Sequence, residues 1–398
     1  MSDRLLAIIE SRRDALLADL RLHVGTPTGG FNTPALDRTR DLFTQRLRRL
    51  GATIELMPGD PKPDWLYGVS PDSAIPALAV CRGPAGDGPP ILLAGHLDTV
   101  HDPKSEFREL TLSADGATAT GPGCVDMKGG LVIMVAALEA LAEAGVRANW
   151  TVVLNSDEET GSYHSEAVLR AEARRAADMG GVGLAVEPAL PDGSLAIERL
   201  GTGQFRIDAR GRAAHVGRDF GSGVSAVSAL ARALVAVADL PDLKRDKIVN
   251  IGPIEGGNAT NVVPDRASAW GNVRFPSRPI ADELQRDLMA LERPGPASVH
   301  IRTSFNRPAK PQTPETLRLA ALARHAAEAL GQRLPFAKTG GVCDGNILQA
   351  EGLPTIDTLG VRGGGLHTPQ EWIEVTSLVE RCQLLSLLMA RIAAGEWT

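Results

Sequence analysis

Three carboxylates stand in a row at Asp157, Glu158 and Glu159, just after a β-rich run at 151–154. Such a cluster ordinarily marks a solvated loop. At the end of a strand that enters a sheet, the same charges repel one another unless a cation neutralises them. One can then ligate a metal while its neighbour, facing another way, takes a proton from water held there. Upstream, His96 and Asp98 are two apart in Gly-His-Leu-Asp-Thr, and on extended backbone both project to one face. Asp98 can accept one ring N–H of His96 and leave the other nitrogen for a metal, although an ordinary strand-end His–Asp pair has the same pattern. Asp126 lies in a Gly-rich turn, 121–130, that opens onto a helix. There it serves either as an N-cap or as a carboxylate bridging two metals, with Lys128 as a structural charge partner. That turn lacks the spacing of a dinucleotide fingerprint and the Gly-Lys-Ser/Thr of a phosphate loop. Glu187 closes a further apolar run, where a buried carboxylate is costly unless paired or metal-bound. His367 follows three glycines, a context shared by surface loops and by ligands. Together, His96, Asp126, Glu159, Glu187 and His367 form a nitrogen and oxygen donor set suited to zinc. Two Zn²⁺ balance its three carboxylates and one hydroxide, which favours two metals over one.

Each candidate needs an element to hold it. Short β-rich runs at 91–94, 151–154 and 182–186 alternate with a helical pattern at 130–144, the sign of a parallel α/β sheet. In such sheets ligands bind beyond the carboxyl ends of the strands, where His96, Glu158, Glu159 and Glu187 all fall. From about 201 to 308 the character changes. Strands are predicted at 204–209, 247–254, 267–275 and 298–303, with helices at 225–238 and 281–291. The order βαββαβ is that of a ferredoxin-like sandwich, and it reads as an insertion because helices resume at 315–330 and 375–393. A length of 398 residues exceeds one typical core. With 43% hydrophobic and 23% charged residues the chain is globular rather than disordered. The net charge of −6 and scattered Lys and Arg supply no basic patch for nucleic acid or a membrane surface. Four distant cysteines without a CxxC pair argue against a disulfide framework and a thiolate zinc site. The first twenty residues read as an amphipathic helix, not a signal peptide. No run reaches the ~20 apolar residues of a membrane span, so a cytoplasmic protein is expected.

In this order, the motifs resemble those of the dinuclear-zinc peptidases that include glutamate carboxypeptidase, acetylornithine deacetylase and succinyl-diaminopimelate desuccinylase. The likeness runs from about residue 90 to about residue 375 and is greatest to glutamate carboxypeptidase, in NSDEETGSYHS, RGRAAHVG and GGVCDGN. It implies an α/β fold: a catalytic domain of residues 1–199 and 309–398, with a mixed, mostly parallel sheet flanked by helices. Residues 200–308 would be an inserted ferredoxin-like α+β domain serving as lid and dimerisation surface. It implies two Zn²⁺ per subunit, with Co²⁺ or Mn²⁺ as substitutes. Asp126 would bridge them next to a cis Asp126–Met127 peptide, His96 and Glu187 would complete one shell, and Glu159 and His367 the other. Glu158 would be the general base and Asp98 the support of His96. His215 would reach a partner subunit's site and stabilise the oxyanion, the alternative being a strand-end surface histidine. Asn261 and Arg274 match substrate-binding positions, and Arg307 is a further candidate; either arginine can equally be a surface ion pair. Cys343 stands where relatives commonly carry Ser or Thr, and no lysine matches the one that glutamate carboxypeptidase uses to hold substrate. The implied activity is metal-dependent cleavage of an amide bond next to a free carboxylate, in a small peptide or N-acyl amino acid, by a homodimer. Aminopeptidase or deacylase action, or a non-catalytic binding protein on the same fold, are the alternatives.

Overall fold

The apolar run predicted at 91–94 is the middle of a longer strand, Asp87–His96. Pro89 and Pro90 and a register shift before Ile91 hide its first half from a reading of hydrophobic pattern. The computed structural model describes residues 2–29, 32–68 and 74–397. In it this strand sits inside a six-stranded sheet, ordered Thr53–Met57, Leu78–Arg82, Ala148–Asn155, Asp87–His96, Val182–Ala185 and Thr355–Ile356. The last four run parallel, and Leu78–Arg82 runs antiparallel to both of its neighbours, so the sheet is mixed.

Both faces of this sheet are covered, which is why its inner strands read as continuous apolar runs rather than alternating ones. Ile91 and Leu93 point into one core with Val152, Leu154 and Leu184. Leu92 and Ala94 point into the opposite one with Val80, Val153 and Leu169. On the first side helix Gly129–Ala144 is packed against helices Ser2–Glu10, Arg13–Val24 and Thr376–Ala393. It is buried on nearly every face, so it shows little amphipathic pattern. Gly130 is required at its start: a Cβ there would meet the Val186 carbonyl oxygen at 2.0 Å. Helices Glu166–Asp178 and Asp344–Ala350 cover the other side.

A third core, with Phe205, Ile207, Leu230 and Leu284, lies under a separate antiparallel sheet. Its order is Ile248–Gly256, Arg266–Phe275, Gly201–Arg210 and Ser298–Arg307, with helices Ala226–Ala238 and Arg278–Met289 on one face. The connectivity is the expected βαββαβ. Burial alternates strictly along Gly201–Arg210, so Thr202 and Gln204 turn away from the helices. The two segments that connect this unit to the rest of the chain run side by side, with Arg199 and Lys310 exchanging backbone hydrogen bonds of 2.9 and 3.0 Å. The buried Asn346 amide donates to the carbonyls of both, Leu200 at 2.9 Å and Pro308 at 2.8 Å. Segment 58–68 reaches the second unit from elsewhere, its Trp65 carbonyl accepting the Trp270 indole N–H at 2.8 Å.

Short strands missed by hydrophobic pattern, Gly363–Gly364, Trp372–Glu374 and Thr118–Thr120, form a small sheet beside the Gly-rich turn. With two or three residues each, they carry no periodicity to read. Among the described residues no helix is long and apolar enough to cross a membrane.

Candidate metal centre and its pocket

His96 ends the strand Asp87–His96, while Glu158 and Glu159 follow Ala148–Asn155 and Glu187 follows Val182–Ala185. The parallel sheet therefore delivers all four to one edge, its carboxyl end. Asp126 comes from the Gly-rich turn, whose Gly123 adopts a left-handed φ of 68°. The N-cap role is not the one Asp126 takes: the helix begins at Gly129, and the Asp126 carboxylate instead meets two imidazoles. The Asp126–Met127 peptide is cis.

Asp126 Oδ1 is 3.2 Å from His96 Nε2, and its Oδ2 is 3.5 Å from His367 Nε2. Behind His96 Nε2 lies Glu187 Oε2 at 3.9 Å, and beside His367 Nε2 lies Glu159 Oε2 at 3.4 Å. His96, Asp126 and Glu159 each offer a ligand atom within 4.8 Å of the others. The five residues are thus gathered from positions 96 to 367 around one carboxylate. His96 Nδ1 is 2.9 Å from the carbonyl oxygen of Asp98. An oxygen there only accepts, so Nδ1 carries a proton and Nε2 is the nitrogen turned toward Asp126. The Asp98 carboxylate, expected to do this, is farther off at 3.5 Å. It also accepts the backbone N–H groups of Glu158 and Glu159, at 3.3 and 3.0 Å.

Charge confirms how unusual the cluster is. Burial pushes the Glu159 carboxyl up to about 10, with the Asp126 charge adding to it. Burial likewise drives Glu187 well above the carboxylate range. Asp126 resists: burial raises it, but the imidazoles of His367 and His96 win and hold it low. Glu159 Oε1 is buried with no hydrogen-bond partner. A divalent cation relieves all of this. Donor atoms around a tetrahedral zinc, each about 2.0–2.1 Å from it, stand roughly 3.4 Å apart, close to the separations found here. The residues fit a divalent metal, with His96, Asp126 and Glu159 near enough to share it.

A cavity of about 680 Å³ opens beside the cluster. The sheet edge contributes Glu158, which is 7% exposed and which burial pushes up to about 7. Arg307 opposes that shift, its Nη2 lying 2.9 Å from Glu158 Oε1 and donating to the Glu158 carbonyl at 2.7 Å. Arg307 is thus buried and engaged rather than displayed. Arg274 also lines the cavity, and its Nη1 is buried without a partner. Burial, with Arg307 nearby, pushes its pKa down, as befits a cation lacking an anion. His215 and Asn261 are exposed and line no part of this cavity. Cys343 is buried and is not among the lining residues, although Gly341 and Val342 are. Two contributors escaped the reading of the sequence. Lys62, on segment 58–68, lines the cavity and bonds Thr160. Glu371, buried four residues after His367, accepts backbone N–H groups of the Asp126 turn. No motif around Lys62 points to it; Glu371 at least shares a short segment with a candidate ligand.

Comparison with known proteins shows the family. The family described as Peptidase family M20/M25/M40 matches residues 92–391. Carboxypeptidase G2 of Pseudomonas sp. (strain RS-16) is 28% identical over 317 residues, 78% of this chain and 75% of that protein. Succinyl-diaminopimelate desuccinylase of Gluconacetobacter diazotrophicus is 27% identical over 401 residues, 91% of this chain and 97% of its own. A Staphylococcus aureus tripeptidase shares the fold with a TM-score of 0.76 at 19% identity, over 96% of this chain and 99% of that one.

Proposed function

We propose the following reaction on the premise that this chain belongs to peptidase family M20/M25/M40. It is a metal-dependent hydrolase of peptides or acyl amino acids, and the amide bond it cleaves stands next to a free carboxylate. The observation that carries this reading is the Asp126 carboxylate set between the His96 and His367 imidazoles, with Glu187 and Glu159 behind them. His96 and Glu187 would hold one Zn²⁺, His367 and Glu159 the other, and Asp126 both; Co²⁺ or Mn²⁺ would substitute. Such a pair, when bound, polarises the amide carbonyl and makes a water acidic enough to lose its proton near neutral pH.

Glu158 takes that proton and returns it to the departing nitrogen, a task suited to a carboxyl with a pKa near 7. Arg307 keeps the carboxylate in place. Away from the metal edge the charged residues of the cavity are Lys62, Arg199, Arg274 and Arg307; Arg199 is paired with Asp357 and Arg307 with Glu158, while Arg274 keeps an unpartnered Nη1. That favours a carboxylate-bearing substrate over the free amine that an aminopeptidase would recognise. Arg274 is the group to grip the carboxylate, by a two-pronged hydrogen bond. Residues 200–308 form the lid, on a catalytic domain of 1–199 and 309–398. The lid's His215 and Asn261 act on a partner subunit's site.

The test is an assay of N-acyl amino acids and short peptides on metal-stripped protein, with and without added zinc. Hydrolysis should require zinc, and Glu158→Ala should lose on the order of 10²–10⁴-fold in kcat. No zinc-dependent hydrolysis by the wild type, or full activity of Glu158→Ala, ends the reading.

A further inference from the structure

Glu371 is 1% exposed, yet no step above uses it. Its carboxylate is filled on every side. Oε1 accepts the backbone N–H groups of Val125 at 2.9 Å and Asp126 at 3.0 Å. Oε2 accepts that of Gly123 at 2.9 Å and the Nε2–H of His101. The Glu371 carbonyl accepts a further N–H, from Gly121 at 3.0 Å. A single side chain therefore ties together three segments that each carry a metal-site residue. One is the turn of Asp126; the second is the loop after Asp98, through His101; the third is its own loop, which starts at His367. His101 is itself held edge-on against Phe107, ring centres 5.2 Å apart.

A buried carboxylate is costly unless its charge is answered by donors. Four donors answer this one, and three are the main chain of the turn that aims Asp126. The N–H groups it collects are those of Asp126 itself and of the turn that leads into it, Gly123 and Val125. We propose that Glu371 is the positioning residue of the metal centre: with His101 it fixes the turn so that Asp126 stands between His96 and His367. The inference rests on the proposed metal pair and extends it to residues with no place among its ligands. Outer partners of this kind set metal affinity by roughly 10–100-fold.

Both Glu371 oxygens face N–H donors, so either orientation of a glutamine amide would set donor against donor. Glu371→Gln should therefore weaken zinc binding to the stripped protein by roughly 10–100-fold in a competition titration. It should also alter the visible spectrum of the Co²⁺-loaded protein, which reports ligand geometry. His101→Phe keeps the ring against Phe107 and removes one hydrogen bond; it should weaken zinc binding by a few-fold, about a tenth of the larger effect. Leu284→Ala, a cavity in the core of the other sheet, lowers stability and should leave zinc affinity and the cobalt spectrum unchanged. Wild-type zinc affinity and cobalt spectrum in both Glu371→Gln and His101→Phe overturn the inference; if Glu371→Gln does not fold, His101→Phe decides alone. A wild-type protein that takes up no divalent metal overturns the proposed function itself, a result distinct from wild-type binding with unaltered variants.

Discussion

Arg274 and Arg307 line the same cavity, and their surroundings assign them different work. Arg307 is 4% exposed and spends its guanidinium on Glu158 and the hydroxyl of Ser162. Arg274 leaves a buried Nη1 with nothing to bond. A desolvated, unpaired cation is an unfavourable state that an incoming carboxylate corrects, so its contribution goes to binding substrate and transition state alike. Replacing Arg274 with Ala should raise KM by roughly 30–150-fold, about 2–3 kcal/mol, with kcat little changed. Lys should restore only part of this, since it offers a point charge in place of two parallel donors. Arg307→Met should do the opposite: kcat falls on the order of 100-fold with KM nearly constant, because the base has lost its anchor. Steady-state kinetics on a carboxylate-bearing substrate separate the two. Equal effects of both variants on KM would put Arg307 in contact with substrate instead.

At the scale of elements, helix Arg13–Val24 carries a pH dependence unconnected with catalysis. His23 in its last turn is 2% exposed, stacked on Phe43 with ring centres 4.0 Å apart, and its Nδ1 has no partner. Burial, aided by the charges of Arg46 and Lys128, lowers its pKa from 6.5 to about 3. The unfolded chain therefore takes up this proton first as pH falls. The stability that a neutral His23 contributes is complete above about 6.5 and is lost progressively toward 3, at about 1.4 kcal/mol per pH unit. Urea unfolding at pH 7 and pH 5 should show a smaller acid loss for His23→Leu than for the wild type by about 2 kcal/mol; an equal loss would refute the assignment. What the sequence revealed follows the same division by element. His96, Glu159 and Glu187 were legible because each ends an apolar run, and a strand end in a parallel sheet is a place as well as a pattern. The lid sheet was legible from its alternation. Asp126 and His367 stood out only as members of an ordered set of motifs, since a Gly-rich turn and a Gly-rich loop carry no periodicity. Glu371 and His101 were not legible at all: they are 270 positions apart, of ordinary residue types, and meet only because the small sheet of two- and three-residue strands folds one loop onto the other.

Seen as a whole, one chain holds the metal-binding edge but displays two of its expected contributors elsewhere. His215 and Asn261 are exposed on the unit with the antiparallel sheet and outside the cavity. On that unit strand Ile248–Gly256 is a free sheet edge with Ile248 and Ile254 exposed, and the neighbouring helix exposes Val227 and Val235. An open edge beside apolar side chains invites pairing with a second copy, and a two-fold axis there makes the contact self-complementary. Sedimentation should give twice the chain mass. Complementation tests whether the partner supplies His215. Glu158→Gln and His215→Ala should each be nearly inactive alone. Refolded together in equal amounts they assemble at random, and about half the dimers are mixed. In a mixed dimer the His215→Ala subunit keeps its Glu158 and receives His215 from its partner, so one of two sites works. Activity should recover to about a quarter of the wild-type value. If His215 served its own subunit, no chain in the mixture would hold both groups and no activity would return.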